Sequence, residues 1–388
     1  MTMQAPSLPQ QKFEFGPFKK GDIIAGLLAF LTMIGLAAGV GRLLVGMGAT
    51  TALTDAYPWG IWIGFDFALI AFSGVGFTMA AVVHVLHLRQ FQPVLRPAIL
   101  AGLMGYVAVL MLLLLDLGRP DRFYNFMLFY NMHSPLFEIC WCVLLYTTVL
   151  VIEVSPDLLA FLPWKWPMRL AYRLMTPVTI IGVTLSTLHQ STLGTLYLNM
   201  PHRLHPMWYT PILPVLFYVS SILVGLSIGT IAYKIAVRVR GGQEDPSISI
   251  GLGYGVIGVG LFYMLVRVGE VVYAGELPML LQWSPLSVLW IAEILFCSVI
   301  PIVLWGVPSL RKQGWVHWAA PLVVVLGVGM NRFNATLAAQ FAPEGAVYSA
   351  SALEWASTLG IIAAAMLIWY LAVRFVMGFA LKFGFEGH

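Results

Sequence analysis

The chain is 388 residues long, with 60% hydrophobic and only 10% charged residues and a mean hydropathy of +0.86. Soluble domains carry roughly a quarter charged residues, and a soluble globule could not hide this much apolar surface. The formal net charge of +4 is small, and a disordered or disulfide-rich chain is excluded by the same composition. The apolar runs are continuous, as in Leu103–Leu115, and do not alternate as a transmembrane β-barrel requires. The expected fold class is an all-α polytopic membrane protein.

A span needs about 20 apolar residues. In chain order the sequence predicts ten: Asp22–Gly46, Trp59–Leu88, Pro97–Leu117, Pro135–Val154, Met168–Leu188, Ile212–Val237, Ile248–Val268, Pro285–Val307, Val316–Thr336 and Leu353–Leu381. No cleavable leader is expected, because residues 1–21 have no apolar core. The connections are short, so any soluble redox centre is expected to belong to another subunit. Cys140, Cys142 and Cys297 form no CxxC pair, too few thiolates for an Fe–S cluster or a structural zinc site. The eight histidines include no obvious mid-span pair, so intrinsic haem is not expected.

Lysine and arginine sort between two sides. Fifteen of the 21 fall on one: Lys12, Lys19, Lys20, Arg89, Arg96, Lys165, Arg169, Arg173, Lys234, Arg238, Arg240, Arg311, Lys312, Arg374 and Lys382. By the positive-inside rule both termini are cytoplasmic. The other side holds Arg42, Arg119, Arg122, Arg203, Arg267 and Arg332, mostly at span ends beside carboxylates.

Short matches recur at offsets of 148 to 150: Tyr57-Pro58-Trp59 with His205-Pro206-Met207-Trp208, Gly105-Tyr106 with Gly253-Tyr254, and Ser134-Pro135-Leu136 with Ser284-Pro285-Leu286. A parallel repeat of four helices follows. The expected organisation is a segment 1–21, a first span and outer loop 22–58, a first four-helix bundle 59–211, a second 212–345, and a last span with its tail 346–388.

Ionisable groups inside spans are costly and mark candidate sites. The first bundle carries Asp66, Asp116, Glu138 and His189, with Arg119 one turn from Asp116. His189 is expected to end the fifth span at the outer side. One reading is a structural network, with Asp116 paired to Arg119. The other is a site exchanging protons with a membrane-soluble molecule, and a quinone suits an apolar slot lined with exchangeable protons. The second bundle carries Arg267, Glu270, Glu293, Arg332 and Glu354. Balanced signs favour a structural ion-pair network there, with a proton path as the second reading.

These stretches have a resemblance. Tyr57–Asp66 (YPWGIWIGFD), Asp116–Arg119 (DLGR), Phe137-Glu138, His189–Leu196 (HQSTLGTL), His205–Trp208, Val266–Tyr273 (VRVGEVVY) and Asn331–Asn334 resemble the NrfD/PsrC superfamily, most closely its ten-span HybB-like branch. The resemblance runs from about residue 20 to 375. It implies a membrane subunit of a respiratory complex that exchanges electrons between a quinone pool, menaquinone or ubiquinone, and an extracytoplasmic ferredoxin-like Fe–S subunit. It implies no haem or Fe–S cluster in this chain. Partners within the branch are a periplasmic nickel–iron hydrogenase or sulfur-redox subunits, as with DsrP of the sulfite-reductase-linked complex. The implied quinone site is His189, Asp66 and Glu138, with Asp116 and Arg119 nearby. Proton translocation would accompany turnover if protons entered from the cytoplasm near His84, His87 and Glu153. An ion or solute transporter built from parallel repeats is the alternative, and a passive anchor a third. The roles of His202 and His205 stay open between quinone, partner and water.

Overall fold

A computed structural model describes residues 20–159, 166–341 and 347–376. Ten long helices run through them. They are α1 Lys20–Val45, α2 Ile61–Val85, α3 Gln92–Asp116, α4 Pro135–Leu159 and α5 Trp166–Leu198. They continue as α6 Leu213–Val239, α7 Pro246–Tyr273, α8 Pro285–Gly306, α9 Val316–Ala338 and α10 Ala352–Val376. Nine of them are long and apolar enough to cross a membrane. The tenth, α5, has 33 residues, and its many Thr and Ser side chains dilute its hydropathy. The chain is a multi-pass membrane protein. Lys12, Lys19, Lys165 and Lys382, counted for topology, lie outside the described residues.

α2, α3, α4 and α5 pack in sequence, α6 packs with α7 and α9, and α8 with α7 and α9. α6 also packs on α2, α3 and α5, so it joins the two groups. Very little of α1 is buried, and its main neighbour is α10. The two meet at Gly35 and Gly360, where a Cβ added to either would lie 2.3 Å from the other's Cα. Small residues let membrane helices approach this closely. Gly360→Leu is expected to overpack the contact at a cost of about 1–3 kcal/mol, read as a lower thermal midpoint in detergent.

α2 is interrupted. The Gly74 N–H reaches back to the Ala71 carbonyl, three residues away. The Gln190 Nε2 of α5 donates to the Ile70 carbonyl at 2.8 Å. A side-chain amide thus satisfies a carbonyl that the break sets free, the kind of repair that makes non-ideal helices tolerable in a bilayer.

The charges expected to be solvated at the basic side are partly pinned. Lys234 is buried, donates to Glu244 Oε2 at 2.6 Å and lies 4.9 Å from the Trp318 ring centre. Arg238 pairs with the same carboxylate. Partial burial alone would push the Glu244 carboxyl up. The two cations overcome this and hold it below the usual glutamate value. The folded pKa therefore lies below the unfolded one of about 4.3. The resulting stabilisation is complete above that pH and fades as pH falls through the folded value. Glu244→Gln is expected to flatten that acid limb, measured as thermal midpoint against pH from neutrality to about 3.5.

Candidate functional site

The α4–α5 seam, with α2 and α3 against it, collects polar side chains in an apolar surround. His189 is fully buried, and α5 continues past it to Leu198. This corrects the expectation that His189 ends its span: the run Ser191–Leu198 keeps helical geometry because its hydroxyls bond back to their own helix. Ser191 Oγ donates to Thr187 O at 3.0 Å, and Thr195 Oγ1 to Ser191 O at 3.3 Å. His189 therefore sits well below the end of the helix, in the bundle interior.

Among the described residues, neither His189 ring nitrogen has a hydrogen-bond partner. The same holds for both Asp66 carboxylate oxygens, while the Tyr106 and Tyr146 hydroxyls face Ser186, and that of Tyr106 faces the Gln190 side chain as well. The Tyr106 ring lies 5.7 Å from His189 and 5.0 Å from Tyr146. Asp66 is buried on α2, one turn before the Ile70 carbonyl that Gln190 holds. Buried polar atoms are almost always satisfied, which marks the unpartnered His189 and Asp66 side chains as candidates for a functional role.

The remaining expected residues fall differently. Glu138 is exposed at the first turn of α4, not buried. Its Oε1 accepts from Thr192 Oγ1 at 2.8 Å, which puts it one helical turn from His189 along α5. Asp116 does not pair with Arg119. Arg119 turns outward and grips Asp121 through two bonds of 3.0 and 2.8 Å, with 65% of its side chain exposed. A partner two residues along the same loop costs less ordering than one inside the helix, and that local pair wins. Asp116 instead faces buried Arg42 of α1 electrostatically, while Arg42 donates to the Leu117 carbonyl at 2.6 Å.

In the second group the predicted residues mostly join one network. Glu293 is fully buried and accepts from four donors. They are Trp208 Nε1 at 3.0 Å, Tyr263 Oη at 3.4 Å, Asn331 Nδ2 at 2.7 Å and Asn334 Nδ2 at 3.2 Å. Asn331 passes the connection to buried Arg332, which donates to it and to Phe217 O at 3.0 Å and lies over the Phe217 ring at 3.8 Å. Arg267 bonds Glu270 at 3.0 Å and the carbonyl of Met207, the neighbour of Trp208. Glu354 is elsewhere. It caps α10, closing a capping box with Ser351, accepting from Ala52 N at 3.0 Å and from the Tyr348 hydroxyl at 2.6 Å. The spacing Ser351-x-x-Glu354 was the readable signal for that role.

At the face opposite the basic side, Asp55, Tyr57, Asn199, His202, Arg203 and Gln340 line a basin of about 500 Å³. Arg203 stacks on Trp59 at 4.5 Å and donates to Gln340 at 3.0 Å. His205 has a structural part: its Nδ1 accepts from Met207 N at 3.3 Å, its backbone N–H bonds Ala339 O, and burial pushes its pKa down. His202 is exposed on the basin wall. Among the described residues no three His, Cys, Asp or Glu side chains are grouped to hold a metal.

The sequence profile of the family "Polysulphide reductase, NrfD" matches residues 49–344. The chain is 35% identical to a protein of Nitratidesulfovibrio vulgaris (strain Hildenborough), over 82% of this chain and 83% of that one. It is 28% identical to the probable Ni/Fe-hydrogenase 2 b-type cytochrome subunit of Escherichia coli K12, covering 86% and 87%. It is 26% identical to the menaquinone reductase integral membrane subunit of N. vulgaris, covering 88% of each.

Proposed function

The chain belongs to the NrfD polysulphide reductase family, and on that premise we propose that it is the quinone-reactive membrane subunit of a respiratory redox complex. The observation that carries this is His189, fully buried with both ring nitrogens unpartnered and the Tyr106 ring 5.7 Å away. A quinone has two carbonyl oxygens that need donors, and a ring that fits among aromatic walls such as Tyr106 and Tyr146. The relatives named for menaquinone reductase and for a hydrogenase support the same reading.

In this reading His189 hydrogen-bonds one quinone carbonyl, and Asp66 holds the proton that moves with the electrons. Glu138, exposed and joined to α5 through Thr192, connects the site to the outer surface. Electrons exchange with an extracytoplasmic Fe–S subunit seated over the basin at Arg203 and His202. The surplus of basic residues at the other face supports cytoplasmic termini in the inner membrane. The second network is read as structural, because each Glu293 oxygen is already held by two donors.

Proton uptake from the cytoplasmic side is the finer part of the proposal. Down α5 the residues Thr192, His189, Ser186 and Thr179 follow at helical spacings of three, three and seven. Glu153 of α4 accepts from Thr179 at 2.8 Å, and Tyr146 and Ser186 lie between it and His189. Turnover in liposomes is expected to generate a membrane potential if protons enter there. An electroneutral turnover would remove this part alone. Purification of the intact complex is expected to bring down an Fe–S partner and bound quinone. A lone chain that moves solute would replace the whole reading with the transporter one, which the broken α2 also suits.

A further inference from the structure

α1 sends one charged side chain into the bundle. Between Asp22 and Val45, Arg42 is its one ionisable residue. Very little of this helix is buried, yet Arg42 is only 2% exposed. Three residues earlier, Gly39 packs against Leu115 of α3, where an added Cβ would lie 3.8 Å from both methyls. That contact brings the guanidinium to the end of α3. Its Nη2 donates to the Leu117 carbonyl at 2.6 Å, and Asp116 is the residue before it. Among the described residues Arg42 Nε and Asp116 Oδ1 are both buried without a hydrogen-bond partner, so each answers to the charge of the other.

The Asp66 side chain belongs to the same cluster. Trp62, one turn outward of Asp66 on α2, shares a buried apolar contact set with Leu112 and Leu115 of α3, just inward of Asp116. The two carboxyl groups are within electrostatic reach of each other. Glu354 of α10, and Tyr348 from the segment before it, also face Asp116. Glu354 has three donors of its own, the N–H groups of Ala52 and Ser351 and the Tyr348 hydroxyl. Arg119, in the loop after α3, is taken by Asp121, and on the side of α5 the titratable group is His189. One guanidinium is thus left for two carboxyls. Both ionised together would leave a negative charge uncompensated away from water.

We propose that Asp66 and Asp116 hold one proton between them, and that Arg42 of α1 is a positioning residue that sets the pH at which they release it. The inference rests on the quinone-reactive reading, in which the Asp66 proton moves with the electrons. Arg42 favours the negative charge on Asp116, and that charge keeps the proton on Asp66. The step itself is a proton transfer: the pair takes the proton that leaves a quinol hydroxyl, or returns one to a quinone oxygen. The electrons pass to or from the Fe–S partner.

The test is the pH–rate profile of the purified complex with a soluble quinone analogue. Arg42→Gln removes the cation and is expected to move the profile to higher pH by about one unit. Asp116→Asn removes the competing anion, leaves Arg42 in place, and is expected to move it to lower pH by about as much. KM for the analogue should stay unchanged in both. An Arg42 that only caps the last turn of α3 would lower the thermal midpoint when replaced and leave the profile where it was. Shifts of the same sign, or none, in complexes that assemble would overturn the proposal. Should Arg42→Gln fail to assemble, the Asp116→Asn shift decides it alone. A wild-type complex that does not turn over quinone would instead remove the function proposed above, and this inference with it.

Discussion

Replacing His189 with Ala is expected to lower quinone-linked electron transfer by about 10²–10⁴-fold, the range in which a positioned proton-transfer group contributes. Assembly of the complex should stay intact, because the ring nitrogens anchor nothing among the described residues. Asp66→Asn is expected to act in the same direction: it keeps the shape of the side chain and removes its proton. The measurement is the turnover of the purified complex with a soluble quinone analogue, beside the yield of complex on a sizing column. If His189→Ala lost assembly and activity together, the histidine would be a packing element and the cluster a structural one. A KM rise without a fall in kcat would place His189 in binding only.

Replacing Glu293 with Ala should have the largest effect on stability. Four donors converge on this buried carboxylate, and Arg332 is tied to it through Asn331. Removing one partner of a buried charge network costs about 3–5 kcal/mol, because the groups left behind stay desolvated. The expected result is a large drop in thermal midpoint in detergent, with loss of complex on purification. Glu293→Gln separates the two readings of this network. A structural anion loses stability with Gln, since its amide turns a donor toward donors. A proton carrier would stay folded with Gln and lose only the membrane potential in liposomes.

Much of the fold was legible because the bilayer sets a length. Runs such as Leu103–Leu115 cannot be anything but a span, and nine of the ten expected spans coincide with helices long and apolar enough to cross a membrane, the fifth with a long helix of lower hydropathy. Depth was harder to read. The sequence ends the fifth span at Leu188, yet the hydroxyls of Ser191 and Thr195 bond inside the helix, which runs on to Leu198. That shift moves His189 from the surface to the interior. Pairing was least legible. Arg119 sits one turn from Asp116 in sequence, but a loop carboxylate two residues away competes better, and the real neighbour, Arg42, lies 74 residues upstream. Tyr106 and Tyr146 were missed as site residues because an aromatic in an apolar helix reads as core. In the sequence Gly105-Tyr106 stands out only as part of the repeat.

The glycine contact between α1 and α10 bears on how the protein is made. Gly35 and Gly360 are joined by helices at opposite ends of the described chain. At translation rates of about 5–20 residues per second, α1 waits roughly 15–65 s before its partner emerges. During that wait its glycine face meets lipid alone. A helix that waits so long for its main neighbour has to be stable in the bilayer largely by itself, and α1 is apolar along most of its length. Closing the pair is then the last step of assembly, and the apolar cavity of about 200 Å³ between α3 and these two helices acquires its outer wall only at that moment.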